Sequence, residues 1–403
     1  MGEQLTRSVI GVPKRRRVGA QRGEPRVLLV EQGGRGGVAD YTRALAQALV
    51  QLGWQVDCAT ATDHRYGALP GLRIHGVFFY TRDRGALSRA ARRLRLSRPI
   101  NGLAYLAALP WLAMLARRAD VVHVQGGEWP PLSVVTTLAL RVAGRVPVYT
   151  PHNTFDRGRA YGRWRGVQYR LAARVIVHAQ ADLRALPHGT RAKAAVIPHG
   201  EYGLLASAGG RPNRAVERRA LGLRDGEVAA LLFGQLREDK GVRDLLLAAR
   251  EVDGLCAILA GEDLGALSAC SDLLSDNRVV VREGYQSLEA AARVFAASDI
   301  VAFPYRRASA SGVLLLSYAF GRPVVIYPVG GLPEFVEDGE TGWVCPRADP
   351  GALRDTLAAV VAAGPVERER RGRSGATLAR TRFSWDAIAR RTSELYRVVI
   401  GSA

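Results

Sequence analysis

The sequence predicts an α/β protein of two doubly wound domains, and three observations predict it. A chain of 403 residues is long for a single core, and 48% apolar residues can supply two. Short apolar runs rich in Val, Ile and Leu alternate with helical patterns, the mark of a mainly parallel sheet covered on both faces. The alternation stops at a polar stretch, EYGLLASAGGRPNRAVERRALGL at 201–223, and then starts again. The expected organisation is a disordered basic arm at 1–24, a first Rossmann-like domain at 25–200, a linker at 201–223 and a second domain at 224–384. A last helix within 385–403 has one apolar face to bury.

The first domain opens with RVLLVE (26–31), a strand that ends in glycines. A helical pattern follows in GVADYTRALAQALVQLG (37–53), then a second strand in WQVDCAT (54–60), which completes a β-loop-α-β unit. Further strands are expected at 74–80, 121–124, 146–150, 175–178 and 194–200. In the second domain they are expected at 227–234, 255–261, 279–284, 299–304, 323–328 and 343–346. In sheets of this kind the ligand sits beyond the carboxyl ends of the strands, so the cleft between two facing domains is the default site.

Composition narrows the class. The four cysteines, Cys58, Cys256, Cys270 and Cys345, form no CxxC pair, which favours reduced, buried thiols over a disulfide framework or a zinc site. Residues 1–24 are basic and lack the apolar segment of a secretory signal, so a cytoplasmic protein is expected. Residues 1–200 hold 31 Lys and Arg against 11 Asp and Glu, whereas residues 201–403 hold 26 of each. One half therefore suits an anionic partner, and the other is neutral overall.

Three motifs point to phosphate. In EQGGRGGVADYTRAL (31–45), Gly36 and Gly37 let the chain approach a ligand ahead of a helix N-terminus. Gly34-x-Gly36-x-x-Ala39 also fits a dinucleotide fingerprint, with Asp57 23 residues beyond Gly34, so an NAD-type oxidoreductase is a rival reading. In LLFGQLREDKGVRDLLLAA (231–249), a strand ends at Gly234 and a loop brings Arg237 and Lys240 to the mouth of the sheet. Only three of the 57 basic residues are Lys, which suggests that a compact charge is needed at 240. In ASASGVLLLSYAFGRPVV (308–325), Ser311 can cap a helix whose free amides at Gly312, Val313 and Leu314 suit an anion. Gly330 and Gly331 then end the next strand, in a loop able to press on a ligand.

These elements resemble, in order and spacing, the family 4 retaining glycosyltransferases of the two-Rossmann-domain (GT-B type) fold. The resemblance runs over nearly the whole chain, through DVVHVQ, YTPHNTF, VIPHG, the Arg/Lys loop, DIVAFPY and GGLPEFVEDGETGWVCP. It implies a nucleotide-diphosphate sugar as donor substrate, no cofactor and no metal, with Arg237 and Lys240 neutralising the leaving diphosphate. It implies donor contacts from Gly36, Gly37, Gly234, Ser311, Gly312, Val313, Leu314, Gly330 and Gly331. His152 of YTPHNTF would bond sugar hydroxyls, Gln125 would touch sugar or acceptor, and the last helix would cross back to the first domain. Many members carry two glutamates eight residues apart where this chain has Ala308 and Leu316, and an Arg where it has Gln235. The resemblance is therefore to a variant branch lacking the usual paired glutamates. His123 lies in an apolar strand and reads as a packed core residue.

The basic surplus has its own pattern. RDRGALSRAARRLRLSR (82–98) spaces Leu87, Ala90, Ala91 and Leu94 as one face of a basic amphipathic helix, able to lie on an anionic bilayer. INGLAYLAALPWLAMLA (100–116) is uncharged but short and holds Pro110, which argues against a span. A second basic and aromatic stretch, FDRGRAYGRWRGVQYR (155–170), could grip nucleic acid, a less favoured partner. The expected function is retaining sugar transfer to a hydroxyl acceptor, lipid-linked or of the cell envelope, by a cytoplasmic enzyme peripheral on the inner membrane face. The alternatives are the oxidoreductase and a nucleotide-sugar-binding protein without turnover.

Overall fold

The computed structural model describes residues 24–402, except 83–85, 127–129, 155–158, 204–205, 207–208 and 211. The basic arm expected at 1–24 lies, but for its last residue, outside the described residues.

Seven parallel strands form the first sheet: β1 (Arg26–Val30), β2 (Gln55–Ala61), β3 (Leu72–Phe78), β4 (Val121–Gln125), β5 (Val148–Thr150), β6 (Arg174–Val177) and β7 (Ala194–Val196). Their order is β3-β2-β1-β4-β5-β6-β7. Six form the second: β8 (Val228–Phe233), β9 (Leu255–Gly261), β10 (Val279–Glu283), β11 (Ile300–Phe303), β12 (Val324–Ile326) and β13 (Gly342–Val344), ordered β10-β9-β8-β11-β12-β13. Every ladder pairing is parallel, as the near-continuous apolar runs of VLLV and VAALLF require. In each sheet the chain order reverses once, between β1 and β4 and between β8 and β11. A crevice opens at such a reversal, beyond the strand ends, and ligands bind there.

Each sheet is packed on both faces. In the first domain Leu28, Val30, Tyr105 and Leu112 cluster on one face, and Val27, Leu29, Tyr41 and Leu45 on the other. In the second, Leu232, Leu245 and Leu259 lie on one side, and Leu231, Ile258, Leu314 and Tyr318 on the other. The expected linker holds a helix, and the last helix crosses back to the first domain. The stretch 201–223 ends in a helix, Arg214–Ala220, started by the Asn213 side chain accepting from the Val216 amide. The final helix, Trp385–Gly401, starts with Ser384 accepting from Ala387 and buries Ile388, Ala389 and Tyr396 in the first domain's core. It is tied there by Trp54 Nε1 donating to Ser393 Oγ at 2.9 Å and by Tyr396 bonding His123 Nδ1 at 2.6 Å.

All four cysteines are free and buried. His123 is fully buried, its other ring nitrogen 2.8 Å from Thr150 Oγ1, and burial holds its pKa at about 3.

Candidate active site

The loop after β1 is built around a buried carboxylate. Glu31 accepts the amides of Gly33 and Gly34 at 2.6 and 2.7 Å and the hydroxyls of Thr60 and Tyr66 at 3.0 and 3.1 Å. That fixes the path of the chain into helix α1 (Gly37–Gln51). Gly36 has φ of 80°, which a side chain would strain, and open space lies beyond both Gly36 and Gly37. The first turn of α1 carries Asp40, whose carboxyl is pushed up to about 6, mainly by burial. Its residue type alone did not single it out.

His152 follows β5 with φ of 56°, a left-handed conformation unusual outside glycine and of the kind that gathers at functional sites. Its Nε2 lies 2.9 Å from Gln125 Oε1, so the ring donates there. Its Nδ1 faces His178 Nε2 at 3.5 Å. His178 in turn donates from Nδ1 to the Ile197 carbonyl at 2.9 Å. Burial, reinforced by the neighbouring imidazoles, holds His152 well below the usual histidine range. It therefore stands in the cleft as a neutral ring with both nitrogens facing protein. With both protons committed to Gln125 and Ile197, the facing His152 Nδ1 and His178 Nε2 each carry a lone pair and do not bond each other, so Nδ1 is the acceptor a sugar hydroxyl could use.

Around His152 the structure assembles residues that no local motif announced. The Tyr41 ring meets His152, His178, His199 and Trp385, with centroids 4.8 to 5.2 Å apart. His199 packs on Tyr202 at 5.3 Å, and burial holds His199 at about 3. Tyr202 reaches the second domain, where a side chain at Gly312 would press on its hydroxyl. An aromatic and imidazole wall thus runs from the first glycine loop to the start of the helix Gly312–Ala319.

On the second domain the Arg/Lys loop and that helix start converge on Tyr305, just past β11. Lys240 Nζ lies 3.5 Å from the Tyr305 ring centroid, and Tyr305 packs in the same core cluster as Val313 and Leu314 of that helix's first turn. The Asp239 carbonyl accepts the Arg306 amide at 2.9 Å, which ties the loop to the same segment. Gly234 (φ 106°) ends β8 beside Val313. Gly330 (φ 57°) and Gly331 press on the backbone of Ala308 and Ser309, where a Cβ would not fit.

Three expectations need correction. Ser311 occupies the N-cap position, but its side chain makes no capping bond. The Leu314 amide donates to the Ser311 carbonyl at 3.1 Å, which leaves the amides of Gly312 and Val313 at the open end. Arg237 is held by Asp239 in a two-pronged ion pair at 2.8 and 3.1 Å, with Gln235 Oε1 at 3.0 Å. It can meet a diphosphate only in competition with that carboxylate.

The two domains also touch directly. Glu334, in the loop after β12, accepts the amides of Gln180 and Ala181 at 2.6 and 2.7 Å. Asp182 accepts from Thr154 Oγ1 at 2.5 Å and from Ser309 of the other domain. Among the described residues, no group of three or more His, Cys, Asp or Glu is placed to hold a metal.

Known proteins match both halves of the chain. Residues 227–363 match the family model described as glycosyl transferases group 1, and residues 35–200 match glycosyltransferase family 4. A D-inositol 3-phosphate glycosyltransferase of Mycobacterium sp. (strain KMS) is 33% identical over 165 residues, 39% of this chain and 38% of that protein. One from Mycobacterium leprae (strain TN) is 30% identical over 238 residues, 57% of this chain and 55% of that protein. The chain thus spans between about two-fifths and just over half of the length of these curated relatives. Among solved structures, Anabaena HepE in complex with UDP aligns with TM-score 0.71 and 19% identity, covering 93% of this chain and 100% of that one. Sucrose-phosphate synthase from Thermosynechococcus elongatus aligns with TM-score 0.72 and 20% identity, covering 94% and 100%. The fold is that of the two-domain GT-B glycosyltransferases.

Proposed function

We propose that this chain, whose two domains match glycosyltransferase group 1 and glycosyltransferase family 4, is a glycosyltransferase that moves a sugar from a nucleotide-diphosphate donor to a hydroxyl acceptor. The observation that carries the reading is the convergence of Lys240 and the Gly312 helix start on Tyr305. It gathers a point charge, two backbone amides and a helix dipole at the switch point of the second sheet. A leaving diphosphate gains negative charge as the sugar bond breaks, and fixed donors aimed at that charge favour the transition state over the ground state. Lys240 supplies the cation, Gly312 and Val313 donate to phosphate oxygens, and Arg237 joins once Asp239 yields.

In this reading transfer retains configuration and needs no metal, because cations and amides of the chain neutralise the diphosphate. The acceptor enters from the first domain, between the Gly36–Gly37 turn and the His152 wall. The curated relatives act, by name, on an inositol phosphate, and the surplus of positive charge in residues 1–200 suits an anionic or lipid-linked acceptor of that general kind. Ala308 and Leu316 make the donor site a variant that works without the paired glutamates. The enzyme would act on the cytoplasmic side, peripheral to the inner membrane face.

Thermal-shift titration with UDP, GDP, ADP and NAD tests the reading. Stabilisation by a nucleoside diphosphate supports it, since a ligand at about a hundred times its Kd adds about 2.7 kcal/mol. Stabilisation by NAD alone would instead favour the oxidoreductase.

A further inference from the structure

We propose that the helix Ser97–Arg117 docks the protein on an anionic lipid surface. Its inner face is committed to the first domain: Tyr105, Ala108, Leu112, Leu115 and Ala116 are buried. Its outer face is apolar and uncovered. Leu103 is 69% exposed, Leu106 51%, Met114 47% and Trp111 43%. At about 100° per residue these four, with Ala107 and Pro110, occupy an arc of about 140°. An exposed apolar stripe of this size marks a docking surface rather than ordinary solvent-facing helix.

The charge around the stripe selects the occupant. Between Asp83 and Asp120 the chain holds eight arginines and no carboxylate. Arg93, Arg95 and Arg98 are exposed before or at the start of the helix, Arg117 and Arg118 at its end. Leu94 and Leu96, 68% and 45% exposed, interleave with the first group. Pairing the stripe with the same stripe of a second copy, parallel or antiparallel, opposes arginine to arginine. A nucleic acid would meet the arginines but leave the Leu, Trp and Met side chains without a partner. A bilayer of anionic headgroups over acyl chains satisfies both, with the apolar arc sunk to the headgroup boundary and the guanidinium groups on phosphate.

The helix is long and apolar enough to cross a membrane. It lies along the surface instead, because Tyr105 on its inner face accepts from Gln32 Nε2 at 2.6 Å and Asn101 accepts the Thr81 amide at 2.8 Å. Gln32 belongs to the loop after β1. The docking helix is therefore wired to the acceptor side of the cleft, and a lipid-anchored acceptor would present its hydroxyl beside the glycine turn. This moves the apolar contact from 82–98, the expected amphipathic segment, to the helix after it; residues 83–85 lie outside the described residues. The docking itself is independent of sugar transfer, so either can fail alone.

Flotation of the full chain tests it, with vesicles of phosphatidylcholine containing about a third phosphatidylglycerol against pure phosphatidylcholine. Binding should favour the anionic vesicles at least tenfold and weaken as salt rises beyond about 0.1 M. Each arginine near such a surface is worth about fivefold in partitioning, so Arg93→Gln, Arg95→Gln and Arg98→Gln together should lower it about a hundredfold. Leu103→Gln with Leu106→Gln should lower it at least tenfold, with melting temperature unchanged because both side chains are exposed; Leu103→Gln alone serves if the pair unfolds. Equal binding to neutral vesicles, or full binding by the leucine variants, would overturn the proposal. So would sedimentation equilibrium showing that the leucine variants only break a dimer, or binding to single-stranded DNA but not to vesicles.

Discussion

The Ser309 hydroxyl lies 2.7 Å from Oδ1 and 2.8 Å from Oδ2 of Asp182, and the two residues belong to different domains. Both are buried, Ser309 at 2% and Asp182 at 3% exposure. With Glu334 on the amides of Gln180 and Ala181, this pair holds the helix Gln180–Ala185 of the first domain against the phosphate-side loops of the second. Any opening of the cleft on this side must break these bonds.

Ser309→Ala should therefore loosen the closed arrangement. The variant leaves a buried carboxylate short of one donor, a change that costs about 1–3 kcal/mol. Denaturant unfolding should show that loss, and small-angle scattering should show a larger radius of gyration. A variant with unchanged unfolding and radius would mean that the two domains do not meet here in solution.

Leu316 tests the variant donor site. It packs partly buried against the core of Leu314, Leu315 and Tyr318. Leu316→Glu places a carboxylate in that apolar setting, so transfer or melting temperature should fall. A several-fold gain in transfer would instead mean that a glutamate contact has decayed at this position.

Acid should weaken the fold through its histidines. Burial holds His123 and His199 at about 3 and lowers His152 and His178, whereas an unfolded chain titrates them near 6.5. The folded state then binds fewer protons than the unfolded state as pH falls. The stabilisation is complete above about 6.5 and is lost toward about 3, by up to about 1.4 kcal/mol per pH unit for each histidine. Melting temperature should fall steadily from about pH 7 to about pH 5, and His178→Gln should shallow the slope. A flat profile over that interval would contradict buried, neutral rings.

The strands were legible in the sequence because each is a short apolar run closed by glycine or a polar turn, as RVLLV, LCAILAG and VAALLF show. The glycine turns after β1 and β8, and the placing of Lys240 in the loop past β8, were legible because a tight strand-to-helix turn leaves a local pattern. The wall around Tyr41 was not, since it joins positions 41, 152, 178, 199, 202 and 385 through space alone. Nor was the pairing of Asp182 with Ser309 across 127 positions. The missing Ser311 cap was not legible because residue type places a hydroxyl at the N-cap without fixing whether it turns to the helix amides. Leu103 and Trp111 lie in a run too apolar to betray which face the domain leaves uncovered.

In the proposed transfer, Lys240 faces the leaving diphosphate. A charge pair at about 4 Å and an effective dielectric near 20 is worth about 4 kcal/mol. Taking half of that as gained only in the transition state leaves about 2 kcal/mol, or about 30-fold in rate. Lys240→Ala should lower the rate of nucleoside diphosphate release from the donor by at least about tenfold. Its contact with the Tyr305 ring is worth only about 1 kcal/mol, so the melting temperature should stay within a few degrees of wild type. Lys240→Arg should restore part of the rate, because a planar fork does not replace a point charge. The most direct measurement is the release rate of Lys240→Ala set beside its melting temperature. A large loss of rate at nearly unchanged stability is predicted. A normal rate at a lowered melting temperature would make Lys240 a structural residue packed on Tyr305, and the diphosphate would have to bind elsewhere.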